Sequence, residues 1–305
     1  IVFTGSATEA NNLALRGEFE HALRKRRLFS PAEKSDSLSA HRSATSGDRA
    51  DALPRCSSEH IANAPLFSDL MNKQDRPKIL ISGIEHESVR AACKDLHEAY
   101  GVEVVDIPVD KLGIIDVILL KTLFDDRVIL ISVQYANSEI GTIQPIKEIG
   151  EIIKNYKLEA GSSAYPLFHT DAVQAFQYLK CDVKELGVDM LTLSAHKIYG
   201  PKGIGCLYIG NPGLLDPMVS GGGQEYGMRS GTENVPAIVG FAKAVEIAED
   251  MRAEESKRMV TLRDLLWDGI ETIVPDAEVN GSIDNRVPNN LNVYFPGHSA
   301  QDLCI

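Results

Sequence analysis

Apolar and polar positions along the chain change period several times, and each change marks an element. The chain opens on the apolar triplet Ile1, Val2 and Phe3, which reads as the tail of a strand. GSATEANNLALRGEFEHALRKRR follows, with small and hydroxyl residues first and then apolar ones at helical spacing through Leu13, Phe19, Ala22 and Leu23. That pattern predicts a helix starting near Ala7 or Thr8, and Thr8 taken alone is an ordinary N-cap candidate. From about Leu28 to Pro77 the periodicity lapses into Ser, Ala, Asp and Arg, so residues 28–77 read as a flexible insertion with a short helix near HIANAPLFSDLMNK.

Beyond Pro77 the two periods alternate regularly. KILISG reads as a buried strand, HESVRAACKDLHEAY as an amphipathic helix and VEVVDI as a strand. IIDVILLKTLF is expected to be helical, VILISVQ a strand, IKEIGEIIKNYK a helix, PLFHTD and DMLTLSAHK strands, and IGCLYIG a strand of different character. Strands alternating with helices of this length indicate an α/β fold around a mostly parallel sheet. From Val235 a long helical pattern leads away from that core, followed by a turn-rich segment, the strand LNVYF and the start of another helix. The expected division is a large domain over 1–240, then a linking helix and a partial small α+β domain over 241–305.

Composition narrows the class. With 305 residues and 44% hydrophobic content, the chain can build one large core or two unequal ones. No apolar run reaches the roughly 18 residues a membrane span needs, so no membrane partner is expected. The 31 basic and 43 acidic residues give a net charge of −12, which argues against nucleic-acid binding by bulk charge. The basic tract Arg24 to Arg27 closes a helical pattern, where cations suit the helix dipole. Cys56, Cys93, Cys181, Cys206 and Cys304 are scattered and odd in number with no CxxC pair, which fits a reducing, cytoplasmic compartment and no structural zinc. Asn280-Gly281-Ser282 matches a glycosylation sequon and is equally a turn signal. Residue 1 is isoleucine and QDLCI stops inside an apolar helical pattern, so the chain is expected to be a piece of a longer one, leaving organellar targeting open.

The chemistry gathers at strand ends. His86, Asn137, Asp171 and the group Ser194, His196 and Lys197 each follow a predicted strand, and in a parallel sheet those ends share one edge, where ligands bind. Lys197 closes the run LTLSAHK; a lysine at the end of a buried strand loses solvation, which lowers its pKa and makes its amine a nucleophile for Schiff-base chemistry. Pyridoxal phosphate needs such a lysine for its aldehyde, a carboxylate for its pyridine nitrogen and donors for its phosphate. Asp171 suits the second role. GSATE at 5–9 offers hydroxyls and helix-start amides for the third, with Ser194 and His196 as further donors. His86 or His169 taken alone is more ordinary as a packed or surface histidine. GPKGIG and SGGGQEYG match neither a P-loop nor a dinucleotide fingerprint. A metal hydrolase on His169, Asp171 and His196 remains open by residue type, although it lacks HExxH and leaves Lys197 without a role.

FTGSATEANN, IEHESV, YANSEIGTIQPI, HTDAVQA, LTLSAHKIYGPKGIGCLYI and GGGQEYGMRSGTEN resemble, in order, the signature segments of the cysteine desulfurase group within the class V aminotransferases. The resemblance spans about residues 1–245 outside the insertion and implies the aspartate aminotransferase-like large domain of pyridoxal phosphate enzymes. It implies that Lys197 carries the coenzyme and moves protons at the substrate, that Asp171 faces the pyridine nitrogen, and that Gln174 donates to the phenolic oxygen. His86 would stack on the ring and act in acid–base steps. Ala7, Thr8, Ser194 and His196 correspond to the phosphate cup, and Asn137 to a position near the phenolic oxygen and the substrate carboxylate. Thr232 would reach the phosphate of a neighbouring subunit, implying a homodimer. The implied activity converts L-cysteine to L-alanine and hands sulfur, as an enzyme persulfide, to an acceptor or scaffold protein for iron–sulfur cluster or thio-cofactor synthesis. Selenocysteine lyase, acting on selenocysteine, is the close relative, and a coenzyme-binding chain without desulfurase activity is a further alternative. The group's catalytic cysteine and carboxylate-binding arginine are expected beyond Ile305. Cys304 and Cys206 read as core thiols.

Overall fold

The computed structural model describes residues 1–29, 75–161 and 165–303. Most of the expected insertion, together with Cys56 and Cys304, lies outside the described residues. Seven strands form one sheet: β1 (Val2–Thr4), β2 (Lys78–Ser82), β3 (Glu103–Ile107), β4 (Val128–Ser132), β5 (Leu167–Asp171), β6 (Met190–Ser194) and β7 (Gly205–Ile209), in the spatial order β1-β7-β6-β5-β4-β2-β3. β2 through β6 pair in parallel, whereas β7 runs antiparallel to both β6 and β1. The different character of IGCLYIG is this reversal. All strands except β7 therefore point their carboxyl ends at one edge.

Burial explains the strand pattern. Every residue of β2, β4 and β5 is buried, as a parallel strand covered on both faces requires. Their side chains divide between two cores: Ile79 and Ile81 pack with Leu13, Phe19 and Leu96 on one face, and Leu80 with Ile131, Ile149 and Phe168 on the other. The first face is covered by α1 (Ala7–Phe29) and α2 (Glu87–Tyr100). On α2 the buried residues Ser88, Val89, Ala92, Cys93 and Leu96 form one stripe, and Gly101 ends the helix at φ 70°. The apolar run expected as a helix over IIDVILLKTLF is helical only in α3 (Val117–Thr122), because Asp116 caps it and Ile115 instead bridges back to Val109. On the second face lie α4 (Ile146–Glu159) and α5 (Val183–Leu186). Their backbones meet so closely that a Cβ on Gly150 would fall 2.3 Å from the Leu186 carbonyl oxygen.

The long helix α6 (Val235–Ile273) is continuous through the expected boundary at 240/241. Its first half packs Ala237, Phe241, Ala244 and Ala248 against Ala195, Ile198, Ile204 and Cys206, so this part of the helix shares the core of the large sheet. Beyond it a two-stranded sheet pairs β8 (Glu278–Val279) with β9 (Val293–Tyr294), followed by α7 (Ala300–Leu303). The Asn280-Gly281 turn places Gly281 at φ 79°. Among the described residues, no helix is long and apolar enough to cross a membrane.

Candidate active site

One cavity of about 370 Å³ opens at the carboxyl edge of the sheet, lined by Ser6, Ala7, Thr8, His86, Ser88, Gln134, Ala136, Ser138, Asp171, Val173, Gln174, His196 and Lys197. Parallel pairing brings these groups together from elements more than a hundred residues apart in sequence.

The wall at the start of α1 is a capping box. Ser6 Oγ accepts the Glu9 N–H at 3.2 Å, while Glu9 Oε2 accepts the Gly5 N–H at 2.8 Å. Ser6, rather than Thr8, is thus the cap, and Ala7 and Thr8 sit in the first turn, where a helix leaves its amides without intrahelical partners and the dipole is positive. Glu9 is in turn held by Arg229, whose Nε donates to its Oε1 at 2.7 Å.

Lys197 departs from expectation. β6 ends at Ser194, and Ala195–Ile198 form a 3-10 turn that buries Ala195 and Ile198 against α6 while leaving His196 and Lys197 exposed. The lysine is therefore open to the cavity and does not suffer the burial that its apolar run suggested. Ser194 is buried, 2.8 Å from His196 Nδ1, and stands behind the cavity wall. Partial desolvation of its ring, with Lys197 and Lys202 nearby, lowers the His196 pKa and favours the neutral form.

Asp171 terminates β5 at 7% exposure. Its Oδ2 accepts from Asn11 Nδ2 at 2.7 Å and its Oδ1 from the Val173 N–H at 3.0 Å. Burial raises its pKa, opposed by those two hydrogen bonds and by His86. A buried carboxylate held by neutral donors is stabilised by any cation brought into the cavity. His86 caps α2: its Nδ1 accepts the Ser88 N–H at 3.1 Å and lies 2.8 Å from Ser88 Oγ. With Nδ1 used as an acceptor, the neutral ring carries its proton on Nε2.

The other expected residues fall into two groups. Gln174 lines the cavity. Asn137 is buried just behind it, its Nδ2 donating to the Ile84 carbonyl at 3.0 Å and its Oδ1 accepting from Glu139 and Ile140 at 2.8 Å each. Thr232 lines a separate surface pocket with Arg229, Gly203 and Glu225. His169 is fully buried with both ring nitrogens engaged, by Ser132 Oγ at 2.9 Å and Thr192 Oγ1 at 3.0 Å, so it cannot join Asp171 and His196 around a metal. Among the described residues, no group of His, Cys, Asp and Glu side chains could hold a metal ion.

Sequence reasoning missed Asn11, Ser88, Gln134 and Glu85. Glu85 is 6% exposed; its Oε1 accepts the Gln134 N–H at 2.6 Å, and burial together with the nearby Asp171 carboxylate raises its pKa well above the usual range. The spacing of Ser6 and Glu9 is a readable motif that points to the true cap; the four missed residues carry no such signal, because their roles depend on contacts across the fold.

Residues 55–305 match the family model described as aminotransferase class-V. The chain belongs to the aminotransferase class-V family. Among curated members, it is 42% identical over 236 residues to a cysteine desulfurase IscS of Clostridium botulinum, covering 77% of this chain and 57% of that protein. It is 44% identical over 299 residues to a cysteine desulfurase IscS of Ehrlichia chaffeensis, covering 97% of this chain and 58% of the relative. Among solved structures, a NifS-like protein superposes with a TM-score of 0.77 at 32% identity, covering 99% of this chain and 67% of that one. This class-V chain thus spans under two thirds of the length of the two curated relatives. The class-V family is pyridoxal phosphate-dependent, and the donor set fits that group: an open lysine amine, a buried carboxylate, an imidazole and a helix N-terminus face one cavity of suitable size.

Proposed function

We propose that the full-length protein is a pyridoxal phosphate-dependent cysteine desulfurase. In this reading it converts L-cysteine to L-alanine and passes the sulfur, as an enzyme persulfide, to an acceptor protein for iron–sulfur cluster or thio-cofactor synthesis. The observation that carries the reading is the convergence of Lys197, Asp171, His86 and the α1 N-terminus on one cavity, in a chain whose curated relatives are named cysteine desulfurases.

When bound, the coenzyme supplies an electron sink that stabilises negative charge at the substrate α-carbon. Each protein group then has a task set by its surroundings. Lys197 Nζ would hold the coenzyme covalently and, as a free amine, would accept a proton from the substrate Cα. Asp171 would face the ring nitrogen and keep a proton on it. His86 would lie against the ring, with its Nε2–H free to serve the substrate. Ala7 and Thr8 supply helix-start amides to the phosphate, joined by the Ser6 and Thr8 hydroxyls and by His196. Gln174 donates to the phenolic oxygen. Asn137 acts indirectly, holding the loop that carries Ala136 and Ser138 in the wall.

The thiol that takes the sulfur is assigned to a cysteine outside the described residues. Cys93, Cys181 and Cys206 are absent from the cavity lining, and burial pushes each thiol up to about 12, away from the reactive thiolate. The setting of Thr232 on a separate surface supports its use by a second copy, and hence a homodimer. The unpaired state of the described cysteines supports a cytoplasmic setting.

Absorbance of the purified full-length protein tests the coenzyme: a visible band of a lysine-bound coenzyme is expected, lost in Lys197→Ala. Alanine release from L-cysteine and L-selenocysteine tests the reaction. A folded protein without the band removes the coenzyme reading; a band without alanine release leaves binding alone; release from selenocysteine only would make the protein a selenocysteine lyase.

A further inference from the structure

Asn11 lies on α1 and is fully buried, yet both of its amide hydrogens are engaged by partners from other elements. One hydrogen goes to Asp171 Oδ2 at the end of β5, at 2.7 Å, and the other to Ser88 Oγ in the first turn of α2, at 2.9 Å. Its Oδ1 is buried without a partner. The orientation of the amide is fixed chemically, since a carboxylate only accepts hydrogen bonds and a flipped amide would turn an oxygen toward it. The Ser88 hydroxyl, having accepted from Asn11, has its own hydrogen left for His86 Nδ1, 2.8 Å away.

We propose that Asn11 is a positioning residue whose amide, by donating both hydrogens, registers Asp171 and His86 with the helix that receives the phosphate. Ala7 and Asn11 stand four residues apart, about 6 Å along the helix axis, and share a face. One rigid element therefore presents the phosphate amides at its tip and, one turn deeper, the donor that aims the ring-nitrogen carboxylate. Among the described residues Asn11 is the one side chain that donates to the Asp171 carboxylate; the other donor to that carboxylate is the backbone of Val173. Through Ser88 the same amide sets the direction of the hydroxyl that faces His86. The roles of Asp171 and His86 rest on the coenzyme reading above, whereas the Asn11–Ser88–His86 relay does not.

The isosteric variant Asn11→Asp tests this. It replaces a double donor with an acceptor between Asp171 and Ser88, and two carboxyl groups that close share a proton. In the full-length protein as purified, two quantities are read: the ¹⁵N resonance of His86 Nδ1, assigned by its loss in His86→Gln, and the rate at which coenzyme dissociates. Asn11→Asp should turn the Ser88 hydroxyl toward itself and move the Nδ1 resonance as far as Ser88→Ala does, with the double variant moving it no further. It should also speed coenzyme loss about tenfold or more, the loss expected when a charge-assisted hydrogen bond goes. Asn11→Ala, which deletes both donors, should speed coenzyme loss similarly and keeps the test intact if the aspartate variant does not fold. A merely structural role would lower the melting temperature without moving Nδ1. An unmoved Nδ1 in Asn11→Asp, or coenzyme loss within twofold of the parent in both Asn11 variants, overturns the proposal. If the protein takes up no coenzyme at all, the coenzyme reading fails while the Nδ1 shift still tests the relay.

Discussion

Gly205 is the position where a single methyl group should separate site geometry from stability. It begins β7, opposite the strand end that leads to Lys197, and its Cα faces the start of α1. A Cβ there would lie 2.6 Å from the Ser6 carbonyl carbon, 2.7 Å from the Ala7 nitrogen and 2.9 Å from the Leu193 oxygen. All three are backbone atoms, so no side chain can swing aside. Restoring ordinary contact at 3.4 Å requires the tip of α1 to move by about 0.8 Å. Overpacking of this kind costs roughly 1–3 kcal/mol of stability. Because the displaced atoms include the Ala7 amide, the same shift should weaken at least one hydrogen bond to the coenzyme phosphate, worth roughly 1.5–3 kcal/mol or about 10- to 150-fold in affinity. Gly203→Ala is the control. Gly203 has φ 77° and nothing within 4 Å of where an added methyl would stand, so alanine there meets backbone strain of about 1–2 kcal/mol and no clash. Thermal melts should show both variants destabilised to a similar degree, while equilibrium coenzyme binding should weaken only in Gly205→Ala. Equal coenzyme affinities in the two would refute the assignment of the α1 tip as the phosphate seat.

Two further outcomes concern pH. The raised Glu85 pKa means that the folded protein holds this proton above pH 4.5, where the unfolded chain releases it; stability present below pH 4.5 is lost as pH rises, by up to about 1.4 kcal/mol per unit. Glu85→Gln should therefore gain stability over the parent at pH 8 and lose that advantage below pH 4.5, as read by urea melts; a constant difference would remove the buried-acid reading. His169 works in the opposite direction, its pKa lowered by burial to about 3, so its contribution is present above pH 6.5 and lost as pH falls toward 3. Its ring signals should not titrate between pH 5 and 8, and a midpoint inside that window would contradict the burial and the two hydroxyl partners.

Much of the scaffold is legible in the chain because local pattern and burial agree. KILIS, VILIS and LFHTD carry no alternation, and each is buried along its whole length at the centre of the sheet. VEVVDI, at the edge, mixes half-buried and exposed positions, and its strand character is readable for that reason. Pattern and structure part where a short local signal is outweighed by apolar content. Asp116 caps α3 and cuts off the two isoleucines before it, although IIDVILL as a whole looks helical. The Ser6–Glu9 box lies in the sequence, yet Thr8 is the more conspicuous cap candidate.

The candidate site divides along the same line. Polar residues at the ends of apolar runs can be picked out from the sequence, because in a parallel sheet the end of a run is also a place in space. What the sequence does not express is which of those residues hold one another. Asn11 looks like any polar residue inside an amphipathic helix, and its two partners stand 77 and 160 positions away. Lys197 shows the converse: its apolar neighbours suggest burial, but Ala195 and Ile198 are the residues that turn inward, and their burial against α6 is what leaves the lysine facing the cavity. The apolar residues around the lysine thus act as the anchor of its turn. Their packing against Phe241 and Ala244 ties the direction of the amine to a helix that begins thirty-eight residues later.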